Sequence, residues 1–316
     1  MQHLTFFRWN VPSDGFRWLE TRGGEIASWA GDWKVSTYLT TGQPAGIQFA
    51  ARQYQPLADY PALFREFADL DPSPDPILRF ANRFGWLGVL EFIELPGSSK
   101  LGPGERLSLW QDEIRAMRGD IAIWDALQNR DAEALEHHIE LLGEGKSAVW
   151  VDGQDAGQVG GFHTLFDVQH NLRPEFTAFQ DPVRQAKLKL LLDVNARLEK
   201  HCAPRMVYFE EIDDLSAVLA PKDLLGALWL QLAMAVSEKT PFRRCPAPGC
   251  GKWFVVKPDR ARSDKLFCSG ACRARWFRDR KAKAHRMYEE GTPVEEIARR
   301  LQTEPGTIAR WLEVGR

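Results

Sequence analysis

Four of the five cysteines, Cys245, Cys250, Cys268 and Cys272, fall in one stretch with the spacing C-x4-C-x17-C-x3-C. Two close pairs joined by a loop can bring four thiolates to the corners of a tetrahedron, about 2.3 Å from one Zn²⁺. Four sulfurs fill the coordination sphere and leave no open position for water, so the expected zinc is structural rather than catalytic. Pro246, Pro248 and Gly249 supply a turn between the first pair, and Gly251 allows a tight conformation just after it. Trp253 and Phe254 then start a strand over the site. The second pair runs into Arg273-Ala274-Arg275-Trp276-Phe277-Arg278, which is compatible with a helix, so Cys272 is expected at a helix start, where the dipole favours a thiolate. Four unrelated reduced cysteines are the alternative; a redox pair is weaker still, because no C-x-x-C is present.

The rest of the chain sets the context. Its 316 residues suffice for two or three domains. No apolar run reaches 18 residues and the N-terminus has no basic-then-apolar leader, so neither a membrane span nor a secretory signal is expected. Clustered cysteines without such a leader point to the cytoplasm, and Cys202 reads as an isolated packed thiol. The net charge of −2 conceals an asymmetry: residues 243–316 hold 18 Lys and Arg against 9 Asp and Glu, leaving 23 basic and 34 acidic residues elsewhere. A large acidic body carrying a small basic module is the expectation.

Along the body, residues 16–20 and 34–39 read as short strands. Helical spacing appears over 60–70, with Leu63, Phe64, Phe67 and Leu70 on one face; DPSPDP at 71–76 breaks it, and a new helix opens at Ile77. Further helices are expected over 105–129, 131–142, 182–200 and 223–237, with a strand over 206–210 and a strand or hairpin in the Gly-rich 143–161. The sharpest change of composition falls near Thr240. The predicted architecture is α+β, mainly helical: an N-terminal domain over 1–240, a treble-clef-like or ribbon-like zinc module over 241–280, and a helix-turn-helix over 281–316.

Arg273, Arg275, Arg278, Arg280, Lys281, Lys283 and Arg286 follow the last cysteine within about four helical turns. Arginine suits bidentate capture of phosphate, so these residues are candidates for nucleic-acid contact, with Trp276 and Phe277 anchoring the helix to the zinc module. A solvated connecting helix, or one docked on the acidic body, is the competing reading. Beyond it, Gly291 ends a helix and Thr292-Pro293-Val294-Glu295 reads as a capping box with Pro at the first helical position. Val294, Ile297, Ala298 and Leu301 make an inner face; Thr303 is expected to cap a last helix carrying Ile308, Trp311 and Leu312 inward. Ala298 permits two helices to cross closely, as in a helix-turn-helix. The stretch resembles the DNA-binding units of resolvases and small bacterial regulators, which would turn Glu304, Pro305, Gly306, Thr307 and Arg310 toward the major groove. A helical hairpin packing on the zinc module or on a second subunit is the alternative.

The combination of Ile77-Leu78-Arg79-Phe80-Ala81-Asn82-Arg83-Phe84-Gly85-Trp86-Leu87-Gly88 with a four-cysteine module and an Arg-rich exit is similar to the bacterial CGNR-type zinc-finger proteins, regarded as stress-induced transcription regulators. The resemblance implies a zinc-ligand role for the four cysteines. Cys272 is followed by Arg273-Ala274-Arg275 where that family has Gly-Asn-Arg, the final pair is one residue closer, and a helix-turn-helix is appended.

No catalytic constellation stands out in the N-terminal region. GEGKS at 143–147 lacks the first glycine of a phosphate-binding loop, since position 140 is Glu140, and His137, His138, His163 and His170 lack metal spacing. The expected function is DNA binding with transcription regulation, RNA being the other candidate ligand. The alternatives are a zinc-dependent protein-interaction module, a homodimer among them, and a nucleic-acid-processing enzyme with its active site in the N-terminal domain.

Overall fold

A computed structural model describes residues 7–24, 34–46, 50–140, 148–149, 182–209, 213–256 and 265–313. The chain divides into two units, Met1–Lys239 and Thr240–Arg316. The division falls at the composition change near Thr240.

In the first unit, β1 (Trp9–Pro12) pairs antiparallel with β4 (Ala51–Tyr54), while β2 (Arg17–Gly24), β3 (Lys34–Thr40), β5 (Glu91–Glu94) and β6 (Leu101–Arg106) close into a small barrel in the order β2-β3-β6-β5. Tyr38, Ile93 and Leu95 form a buried cluster between these strands. Between β4 and β5 lie α1 (Pro56–Asp59), α2 (Leu63–Ala68) and α3 (Pro74–Phe84); α4 (Leu107–Asn129) and α5 (Ala132–His138) follow β6. β7 (Ile139–Glu140) pairs with β8 (Ala148–Val149). α6 (Pro182–His201) leads into the ribbon of β9 (Cys202–Phe209) and β10 (Asp214–Pro221), and α7 (Leu224–Glu238) ends the unit.

α7 is apolar on nearly every face because α1, α2, α4 and α6 all pack on it. Trp229, Leu225, Leu228 and Leu232 are fully buried, and Asp223 caps its first turn by accepting from the Gly226 N–H at 2.7 Å. Its one polar interior residue, Gln231, is satisfied at both ends. Its Oε1 accepts from the Phe64 N–H at 3.1 Å, and its Nε2 donates to the Pro56 and Tyr60 carbonyls.

The stretch 77–88 is a structural hub. Asn82 Oδ1 accepts from the Phe16 N–H at 2.7 Å, and Trp9 Nε1 donates to the Trp86 carbonyl. Gly88 has φ +102, and a Cβ there would sit 2.3 Å from Cβ of Asp223, so only glycine fits. The amides of Leu87, Gly88 and Val89 all donate to Glu105, which also accepts from Trp110 Nε1. Burial pushes the Glu105 carboxyl up to about 7, against the downward pull of those four donors.

Several expected boundaries move. The helix placed at Ile77 starts at Pro74, inside the proline-rich segment, because proline is tolerated in a first turn whose N–H groups need no partner. Glu105 belongs to β6, and α4 begins two residues later at Leu107. The helix expected to reach residue 142 gives way to β7 at Ile139. Of the Gly-rich 143–161, only Ala148–Val149 lies among the described residues, as a strand. Strands β1, β4, β5, β6 and β10 add to the two expected near the N-terminus and the one near Met206.

In the second unit, β11 (Phe242–Arg244) and β12 (Trp253–Val255) form a hairpin. A 20-residue helix, α8 (Gly270–Glu289), is followed by α9 (Val294–Arg300) and α10 (Pro305–Glu313). No described helix is long and apolar enough to cross a membrane.

Candidate metal centre and nucleic-acid interface

The first cysteine pair sits on the turn between β11 and β12. The Cys245 N–H donates to the Lys252 carbonyl at 2.9 Å and the Cys250 N–H to the Ala247 carbonyl at 3.0 Å, which folds the Pro/Gly segment into a knuckle. Gly251 takes φ +61, the left-handed conformation that a tight reversal after Cys250 requires. The Lys252 N–H is hydrogen-bonded to the Cys250 sulfur. The second pair comes from the start of α8. Ser269 is its N-cap and accepts from the Cys272 N–H at 3.2 Å, which places Cys272 in the first turn.

These two pieces bring the four sulfurs within 4.8 Å of one another. Cys250 and Cys268 stand 3.7 Å apart and Cys268 and Cys272 3.5 Å. Four sulfurs tetrahedrally placed about 2.3 Å from zinc would be about 3.8 Å apart, whereas a disulfide would need about 2.05 Å. The donor set therefore fits a tetrahedral metal and excludes disulfide pairing. Cys245 and Cys272 are buried with Ala247, Phe254 and Val256, and Phe267 and Trp276 pack against them.

The thiols differ in acidity. Hydrogen bonding from Ser269, and then from Cys268 and Cys250, lowers Cys272 to about 7. Burial, reinforced by hydrogen bonds with the other three cysteines, pushes Cys268 up to about 12. Burial also raises Cys250. Metal capture must displace protons held by Cys250 and Cys268, so binding weakens as pH falls.

The sequence predicts a run of seven basic residues around α8, and the structure sorts them. Arg275, Arg278 and Arg286 are exposed. At 100° per residue they fall, with Ala282, inside an arc of about 80°, and the arginines span about 16 Å of helix. Arg275 also donates to the Pro248 carbonyl, tying it to the knuckle. Arg280 turns to the other side. Its guanidinium covers the Trp276 ring and hydrogen-bonds the Thr303 hydroxyl. Lys283 is paired with Asp279 at 2.9 Å. Arg273 is exposed at a different angle, and Lys281 is half-buried.

The three C-terminal helices share a core of Ala284, Ile297, Ala298, Ile308 and Trp311, with Met287, Val294, Leu301 and Leu312 packed against it. Ala284 and Met287 belong to α8, so that helix is both a wall of the metal module and the first helix of a three-helix unit. Trp276 packs on Phe267 at 5.4 Å on the metal side. Phe277, expected to anchor on the same side, instead meets Trp311 edge-on at 5.2 Å. The 100° step between adjacent helix positions separates the two rings.

The expected caps do not form. Pro293 rather than Thr292 is the N-cap of α9, with no side-chain cap bond, because the extended Pro293 (φ −61, ψ 149) delays the helix by one residue. Thr303 does not cap α10; its hydroxyl donates to the Leu301 carbonyl and accepts from Arg280, while the Glu304 carbonyl takes the first helical N–H groups, those of Thr307 and Ile308. The turn between α9 and α10 passes through Gln302 at φ +47. On α10, Arg310 is exposed and reaches back to the Thr307 hydroxyl at 3.0 Å and the Gly306 carbonyl at 3.3 Å.

No protein-family model, curated protein or solved structure matches the chain. Four clustered cysteines able to hold a metal ion, in a mixed helix-and-strand chain, are what the structure establishes.

Proposed function

We propose that the second unit is a zinc-organised DNA-binding module and that the chain is a cytoplasmic transcription regulator, its first unit serving to sense an effector or partner. One observation carries this reading. α8 starts at the cysteine cluster, ends in the three-helix core, and exposes Arg275, Arg278 and Arg286 along one face, Arg275 also bonding the Pro248 carbonyl of the knuckle.

Zn²⁺ is the metal this donor set suits, held by Cys245, Cys250, Cys268 and Cys272. Bound there it contributes charge neutralisation and rigidity rather than chemistry. With the metal held there, the four cysteines would join the knuckle to the first turn of α8 and fix the direction in which the arginines leave. The left-handed turn at Gln302 between α9 and α10 supports reading α10 as the helix that a helix-turn-helix offers to the major groove. Thr307 and Arg310 are then the residues placed to meet base edges, and the arginines of α8 the ones placed to meet phosphate. The resemblance to CGNR-type zinc-finger proteins supports the same reading, through the zinc-ligand role it implies for the four cysteines.

The test is the affinity of the zinc-loaded full chain for duplex DNA across a salt series. Three phosphate contacts give a slope of about −3 in log K against log salt, at roughly −0.9 per contact. Absence of binding at low salt sinks the reading, and equal affinity for single-stranded RNA would move it to the other nucleic acid.

A further inference from the structure

α10 is sparsely furnished on its outer side. Ile308 and Trp311 are buried in the three-helix core, and the residues left exposed along the helix are Pro305, Gly306, Arg310 and Glu313. At 100° per residue, Arg310 stands within about 40° of Gly306, one turn further along the same side. A Cβ on Gly306 would meet nothing within 4 Å, so the ground beside the arginine is open. Arg310 is therefore the one exposed side chain of α10 that carries N–H donors.

Its guanidinium is held in one orientation. Nε donates to the Gly306 carbonyl at 3.3 Å, and Nη2 donates to the Thr307 hydroxyl at 3.0 Å. These two N–H groups lie on one edge of the guanidinium, and the protein occupies that edge. The end-on edge, one N–H each from Nη1 and Nη2, has no partner among the described residues. In the major groove only guanine sets two acceptors, O6 and N7, side by side. Adenine puts a donor beside its N7, and cytosine and thymine each offer a single hydrogen-bonding group.

We propose, resting on the DNA-binding reading above, that Arg310 reads one guanine through its end-on edge and that Thr307 is the positioning residue that aims it. Neither Pro305 nor Gly306 has a side-chain donor or acceptor with which to read a second base. Each copy of α10 then distinguishes one base pair strongly, and the rest of the affinity comes from phosphate.

The test takes the zinc-loaded full chain and duplexes selected from a randomised library. The expected result is a guanine enriched at a fixed place, whose replacement by adenine weakens binding about 10-fold or more. 7-Deazaguanine, which keeps the base pair but lacks N7, reproduces most of that loss. Arg310→Ala abolishes the preference. Thr307→Val, which removes the hydroxyl at nearly constant volume, reduces it with an unchanged melting temperature, and Thr307→Ser restores it. Binding without a guanine preference, or a preference indifferent to 7-deazaguanine or to Arg310→Ala, overturns the proposal and leaves the DNA-binding reading standing. A preference intact in Thr307→Val overturns the positioning role. A chain that binds no duplex at low salt overturns both the proposal and the reading beneath it.

Discussion

Arg280 holds its guanidinium 4.2 Å from the centre of the Trp276 ring. The ring belongs to the cysteine cluster's core, and the same guanidinium reaches Thr303 in the turn between α9 and α10. One arginine therefore ties the metal module to the helical unit. Arg280→Ala is expected to cost about 1–2 kcal/mol of stability, from the lost cation–π contact and hydrogen bond, and thermal unfolding reads it. Because the side chain faces inward, the salt slope of DNA binding stays unchanged.

The outward arginines behave in the opposite way. Arg278→Ala and Arg286→Ala each leave the melting temperature nearly unaltered and each shallow the salt slope by about 0.9, while Arg275→Ala shallows it as much and also loses the bond to the Pro248 carbonyl. Lys283→Ala changes the slope less, since Asp279 already neutralises that ammonium. Equal effects of Arg278→Ala and Arg280→Ala on the slope would contradict the assignment of faces.

This division was only half legible in the sequence. The cysteine cluster is local in sequence, and its two close pairs made one four-sulfur site the leading expectation, which the structure meets. The inner face of the C-terminal helices is a periodic apolar pattern, and Ala298, Ile308 and Trp311 are buried as that pattern requires. A charge run carries no such signal. Which arginine turns inward depends on Trp276 and Thr303, one of them 23 residues away from Arg280 in sequence. The barrel was illegible for a related reason. β2 and β5 are joined through Gly23–Ile93 and Gly24–Phe92, pairs that no local propensity announces, and β6 contains Gly102, Pro103 and Gly104. The role of Glu105 was hidden likewise, because its backbone donors lie at 87–89 and a glutamate before a helix reads as a first-turn acid. The caps failed on finer grounds: Thr292 and Thr303 have the right chemistry one position too early.

Gln302 adopts φ +47, a conformation costing an L-residue about 1–2 kcal/mol. Gln302→Gly relieves that strain at some cost in unfolded-state entropy, so the expected net gain is about 0.5 kcal/mol. A denaturant midpoint that falls instead would show that the Gln302 side chain makes a compensating contact.

In the first unit, Lys189 Nζ stands 3.5 Å from Asp120 and is paired with Asp193, both Lys189 and Asp120 being almost fully buried. Arg197 and Glu113 lie along the same helix interface. Burial, and then the Asp193 charge, raise the Asp120 carboxyl to about 7, against Lys189 and Arg197, which lower it. A carboxyl raised in the folded state binds more protons folded than unfolded. Its contribution is therefore fully present below about pH 4 and is lost as pH rises through about 7. Asp120→Asn should be near neutral at pH 4 and stabilising at pH 8, as measured by chemical denaturation at the two pH values. A variant equally destabilised at both would instead make the ionised pair with Lys189 the dominant interaction.

Zinc content and DNA affinity, measured on one preparation before and after chelation, test the central claim most directly. The account predicts one Zn²⁺ per chain, salt-dependent binding to duplex DNA with a slope of about −3 or steeper, and loss of that binding when the metal is stripped or Cys268→Ser is introduced. Binding that survives metal removal with the same slope, or a chain that takes up no zinc, would contradict it.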